Sequence, residues 1–122
     1  MVTPMQQCNI HQPDPIVVNE YKTSNHVVLK EEPSELGTNC WLYAKSKAEL
    51  PQGLLSLNDK VNRIKTKYPE EGLVGVTPEG PVGHLVYIEK VESDGLIISE
   101  GNYRHGYITW RKIDKDLVIG YL

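Results

Sequence analysis

Cys40, His84, Glu100 and Asn102 place a thiol, an imidazole, a carboxylate and a carboxamide in that order along the chain. A thiolate attacks a carbonyl carbon, an imidazole takes a proton and returns it to a leaving amine, and a polar group behind the ring fixes its tautomer. Together these groups suit cleavage of an amide through a thioester. The oxyanion formed on the way would be met by the backbone N–H of Cys40 and one further donor, for which Asn39 is a candidate.

Two elements must position these groups. The first is a helix. From Thr38 onward the residues favour helix, and Thr38 or Asn39 suits the N-cap. Cys40, Tyr43, Ala44 and Lys47 then share one face, with Cys40 in the first turn. Orphan backbone N–H groups and the positive end of the dipole stabilise a thiolate there. The same position equally suits a small buried hydrophobe, which is what most free cysteines are.

The second element is a hairpin. Gly83 to Tyr103 reads as two strands rich in β-branched and aromatic residues, joined at Ser93-Asp94-Gly95. A type I turn followed by a left-handed Gly95 pairs Glu92 with Leu96, so Ile88 faces Glu100 and Val86 faces Asn102. Even-numbered residues then share one face, with His84, Glu100 and Asn102 at one end of an otherwise apolar surface. Such buried polar groups need partners. A regular ladder brings Asn102 nearer to His84 than Glu100. A carboxylate stabilises imidazolium better than an amide does, and a bulge at Gly101 would re-aim Glu100. Glu100 is therefore expected to orient His84, with Asn102 a second contact or a substrate ligand.

The chain of 122 residues fits one domain, and 39% hydrophobic with 24% charged residues is the balance of a globular protein. A net charge of −3 offers no basic stripe for nucleic acid and no pull toward an anionic membrane or wall. No basic head followed by an apolar run opens the sequence, so no signal peptide is expected, and no apolar stretch reaches membrane-spanning length. Cys8 and Cys40 could form one disulfide, but two are too few for a framework and at this size none is needed, so both are read as thiols. Cys8 and His11 have the spacing of two metal ligands, but a structural zinc site needs four; no metal and no cofactor are expected.

Elsewhere, residues 1–33 read as an arm with short strands at Ile16–Val18 and His26–Lys30, the latter ended by Glu31-Glu32-Pro33. A second helix starts near Ser56 or Asn58, buries Leu57, Val61, Ile64 and Tyr68, turns Lys60, Arg63, Lys65 and Lys67 to solvent, and stops at Pro69. Strands follow at Leu73–Val76, Tyr107–Ile113 and Leu117–Leu122. The expected class is α+β, with N-terminal helices packed on an antiparallel sheet of four to six strands. His11, His26 and His105 are expected at the surface, and Trp41, Trp110 and Tyr103 in a substrate groove or in packing.

The wording around the reactive residues adds to this. Asn39-Cys40-Trp41-Leu42-Tyr43-Ala44, Gly83-His84-Leu85-Val86-Tyr87-Ile88 and Ser99-Glu100-Gly101-Asn102-Tyr103 resemble the nucleophile, histidine and Glu-x-Asn motifs of the CHAP family, cysteine- and histidine-dependent amidohydrolases/peptidases of papain-like architecture. The resemblance covers about residues 34–122 as one catalytic domain, with residues 1–33 outside it. It implies Cys40 as nucleophile, His84 as general base and acid, and Glu100 as orienting residue with Asn102 beside it. It also implies a peptidoglycan substrate, cut as an N-acetylmuramoyl-L-alanine amidase or a cross-link or stem endopeptidase would cut it. Departures are Asn39, where many members carry Gln, and the absence of an acidic calcium-type loop near the nucleophile. An enzyme made in the cytoplasm without a signal peptide would reach the wall through a holin, by injection, or in a phage particle. Injection would imply an immunity protein as partner. The competing expectations are a non-catalytic module of a phage particle and a papain-like peptidase acting on protein.

Overall fold

β-branched and aromatic runs separated by Gly, Pro and Asp turns fold into one antiparallel sheet in the computed structural model, which describes residues 21–23 and 26–122. Its strands are β1 (Tyr21–Thr23), β2 (His26–Pro33), β3 (Val74–Thr77), β4 (His84–Glu92), β5 (Gly95–Gly101), β6 (Tyr107–Ile113) and β7 (Gly120–Tyr121). They lie in the order β1-β2-β6-β5-β4-β3-β7, and six of the seven have three residues or more. The helices α1 (Cys40–Lys47) and α2 (Leu57–Asn62) stand between β2 and β3. The class is thus α+β, but the helices do not precede the sheet. β2 pairs with β6 from His26 to Pro33, so the end of the segment set apart as an arm is a full strand of the same sheet. Glu31 does not end it, because its carboxylate is paired with Arg104 at 3.3 Å and accepts from Thr109 Oγ1 at 3.1 Å. Ile16–Val18, Cys8 and His11 lie outside the described residues.

Alternation along the strands gives the sheet two different faces. Val74, Val76 and Leu85 turn toward the helices and form a core with Cys40, Ala44 and Leu54. Val86, Ile88, Leu96, Ile98 and Ile113 turn the other way and form a second core with Tyr121. α1 packs on the first face against β4 and β5. Gly101 permits that approach: a Cβ there would stand 2.9 Å from Asn39 O and 2.8 Å from Tyr43 Cβ.

α2 is shorter than its sequence pattern suggests. Ser56 caps it in a reciprocal box with Asp59, but it ends at Asn62, well before Pro69. The chain then leaves to pair Thr66 with Tyr121 at the sheet edge. The expected stripe is only half kept: Leu57 and Ile64 are partly buried against the helix-side core. Val61 and Tyr68 are exposed, whereas Lys60 is buried and donates from Nζ to Val82 O at 2.8 Å and Leu55 O at 3.3 Å. Burial pushes the Lys60 ammonium down to about 8. A six-residue helix shows the core too few turns for its stripe to decide which way it faces.

The β4–β5 hairpin closes through two residues, Ser93 and Asp94, pairing Glu92 with Gly95 rather than with Leu96. A register shift between Ile88 and Lys90 then sets Ile88 opposite Ile98 and Tyr87 opposite Ser99. The bulge lies at Glu89, not at Gly101. It restores the expected sharing of faces, and the new register carries Glu100 one step closer to His84 than the expected pairing did.

Candidate active site

β4 opens at His84, opposite Thr77, after a left-handed Gly83 with φ 76°. A side chain at Gly83 would be strained and would press on Thr77 O at 3.2 Å and Leu57 Cδ1 at 2.8 Å. His84 therefore starts its strand from a fixed point, and its ring is fully buried. Its Nε2 lies 2.8 Å from Glu100 Oε1. A carboxylate has no proton to give, so Nε2 donates, and whenever the ring is neutral its lone pair is at Nδ1. Nδ1 is buried without a hydrogen-bond partner.

Glu100 is held from its other side. Arg111 donates from Nε to Glu100 Oε2 and from Nη2 to Oε1, both at 2.6 Å. The far edge of the same guanidinium donates from Nη1 and Nη2 to Glu79, both at 2.9 Å. Thr77 Oγ1 donates to Glu79 at 2.8 Å. Burial pushes the Glu79 carboxyl upward, but the Arg111 charge and its hydrogen bonds outweigh this and hold it down at about 2. Tyr103 lies beneath the guanidinium, 4.0 Å from ring centroid to Cζ, and its hydroxyl meets His26 Nε2 at 2.7 Å. Tyr103 is thus packed under the ion network rather than set in a groove wall. His26 is buried instead of at the surface, because the inward alternation of β2 delivers it there. Burial, with Arg111 nearby, lowers its pKa.

Asn102 leaves the ladder. It adopts φ 65°, a left-handed conformation that Asn tolerates, and its Oδ1 meets His105 Nδ1 at 2.9 Å. Its Nδ2 is buried and unpartnered. The pairing of His84 goes to Glu100, as its charge favours. His105 is exposed, as expected.

On the helix side, Asn39 is the N-cap of α1, and its Oδ1 accepts from Trp41 N at 2.7 Å and Leu42 N at 3.3 Å. Its Nδ2 is likewise buried and unpartnered, which leaves one donor for the oxyanion role. Cys40 is the first residue of the helix, fully buried. It is not a thiol: it is held in a disulfide, which corrects the reading of Cys40 as free. The size of the domain argues only that no bridge is needed; it does not bear on which sulfurs meet. Cys40 also packs with Leu85, the residue after His84, on the face opposite the imidazole. The structure joins His84 to Glu100, and sets Cys40 one residue of backbone away on the other side of the strand.

Trp41 stacks under Lys45, 4.7 Å from Nζ to the ring centroid, and lines a groove of about 980 Å³ with Leu50, Leu54 and Leu55. Trp110 lies under Lys30 on the helix side of β6. Among the described residues no group of His, Cys, Asp and Glu is arranged to hold a metal ion. Arg111 and Glu79 were not expected at the site. The readable signal was Arg111 at an inward position of β6, between Thr109 and Ile113. No family model, curated protein or solved structure matches the chain.

Proposed function

We propose that the chain is a cysteine-dependent amide hydrolase acting on peptidoglycan, in the state with its nucleophile capped. The observation that carries this reading is the buried His84 ring, held at Nε2 by Glu100 and unpartnered at Nδ1. That is the tautomer a general base for a thiol requires. Thiol–disulfide exchange with an external dithiol, which is itself oxidised to a disulfide, frees Cys40 at the N-terminus of a capped helix, where a thiolate is favoured. Gly83 and Asn102 both leave regular strand geometry at this end of the sheet, where the sulfur must reach Nδ1. For the reaction Cys40 must leave its packing beside Leu85 and come round this strand end; the thiol proton then passes to His84 Nδ1 and sulfur attacks the amide carbonyl. The Cys40 N–H and Asn39 Nδ2 are the donors for the resulting oxyanion. Collapse of the adduct expels the amine with the proton from His84, and water then hydrolyses the thioester.

The choice of peptidoglycan over protein rests on the resemblance of the three motifs. Delivery by holin, injection or phage particle, and an immunity partner in the case of injection, belong to the same proposal. A non-catalytic module is the second reading, favoured by the disulfide at Cys40 and its packing against the helix-side core. Purified sacculi incubated with the reduced protein and with Cys40→Ala, followed by mass spectrometry, decide between them. Release of muropeptides by the wild type alone supports hydrolysis and names the bond. Equal, null traces for both proteins support the module.

A further inference from the structure

Glu100 contacts the imidazole through a single oxygen, yet the carboxylate is gripped by two short bonds from the opposite side. We propose that Arg111, braced by Glu79, is a positioning residue that fixes the proton-bearing nitrogen of His84 through Glu100; the inference rests on the hydrolase reading for its kinetic consequences, but not for the imidazole geometry itself.

The argument begins with Glu100. Its χ angles could aim either oxygen at the ring, or neither. Arg111 removes that freedom, because Nε and Nη2 form a fork that matches the two oxygens side by side. Oε1 is left with one direction for a further donor, and His84 Nε2 occupies it at 2.8 Å. The fork must itself be held. Glu79 closes on its far edge through Nη1 and Nη2, Thr77 fixes Glu79, and the Tyr103 ring covers one face of the guanidinium. Arg111 and Glu100 are fully buried, and Glu79 keeps only a sixth of its side chain exposed at 17%. The groups facing His84 and its partners come from four strands and one turn: His26, Thr77, Glu79, Glu100 and Arg111. A guanidinium is suited to this place because its planar donors bind two carboxylates at once, which an ammonium cannot do in the same geometry.

The test uses the full chain with ¹⁵N-labelled histidine, His84 being assigned with His84→Gln. The readout is the pair of ring nitrogen shifts, which reports tautomer whether or not the protein turns over. Arg111→Lys keeps the charge and loses the fork; Glu79→Gln keeps the shape and loses the brace; Arg111→Met removes both charge and fork. In the wild type His84 is expected as the Nε2–H tautomer alone. Arg111→Lys is expected to bring in the Nδ1–H form and to lower kcat on sacculi by about tenfold or more, with KM within about threefold, as for loss of a group acting only on the reacting geometry. Glu79→Gln should move the same shifts by less. Ring shifts and kcat in Arg111→Lys that both match the wild type would overturn the proposal, and a failure of Arg111→Met to fold leaves that comparison intact. Altered ring shifts with a wild type that never cleaves sacculi would sink the hydrolase reading while supporting the positioning role.

Discussion

Leu85 and His84 are neighbours in the chain and face different surroundings. Leu85 meets Cys40, Val76 and the helix-side core; His84 meets Glu100 and, through it, a run of buried charges. The helix face is stabilised by apolar area, with one short polar chain from Tyr43 through Ser99 to Glu89. The opposite face is apolar along Ile88, Ile98 and Ile113, then becomes ionic at Arg111, Glu100 and Glu79. A fold needs only the first kind of packing, which tolerates substitution of similar volume. Buried ion pairs add little net stability over apolar residues of the same shape, so their presence here points to a role in geometry.

The largest effect should come from breaking the ionic end. Arg111→Met leaves Glu100 and Glu79 buried with no cation between them, and denaturant unfolding should show a loss of about 3–5 kcal/mol. Ile98→Val, at the apolar end of the same face, should cost about 1 kcal/mol. A larger loss at Ile98 than at Arg111 would reverse the contrast between the two ends.

Acid should find the same weakness. Glu79 titrates near 4.5 when unfolded and near 2 when folded. A depressed carboxyl gives stability that is complete above the unfolded value and lost as pH falls through the folded one. Stability should therefore drop by about 3 kcal/mol between those two pH values through Glu79. Glu79→Gln should flatten that part of the pH profile; a profile that keeps its slope would place the acid sensitivity elsewhere.

Turnover separates the two candidate orienters. Glu100→Gln should lower kcat by about two orders of magnitude or more, the scale of triad and general-base losses. Asn102→Ala should cost less, since the Asn102 carboxamide oxygen is engaged by His105 and not by His84. Loss of turnover in Asn102→Ala alone would reverse the roles.

The smallest effect belongs to the helix face. Asn39→Ala removes the cap of α1 and should lower stability by about 1 kcal/mol in thermal melts. Its kcat should fall further than that loss explains, because Nδ2 is removed as well. A stability loss with unchanged kcat would confine Asn39 to capping.

How much of this could be read from the residues follows from what each signal depends on. The even-numbered face of the hairpin was legible because alternation is local, and Asn39 as cap with Cys40 in the first turn was legible from residue type. The identity of the pairing was not. A two-residue turn and a bulge at Glu89 replaced one longer turn, and both routes lead to the same shared face. Lys60 misled because a short helix carries too little pattern to set its own orientation. The full length of β2 is not legible locally, because Glu31 and Pro33 look like a stop until Arg104 and Thr109 supply partners from far along the chain. The disulfide at Cys40 and the separation of Cys40 from His84 across one strand are tertiary facts that no local pattern carries.

The central claim is that a freed Cys40 thiol works with the Glu100-held imidazole. It is tested most directly by alkylating the reduced Cys8→Ser protein across pH and following modification of Cys40 by mass spectrometry. The account predicts a rate that plateaus well below the ordinary thiol value of about 8.5, and a return toward that value in His84→Ala. A Cys40 that stays inaccessible after reduction, or titrates as an ordinary thiol unmoved by His84→Ala, contradicts it.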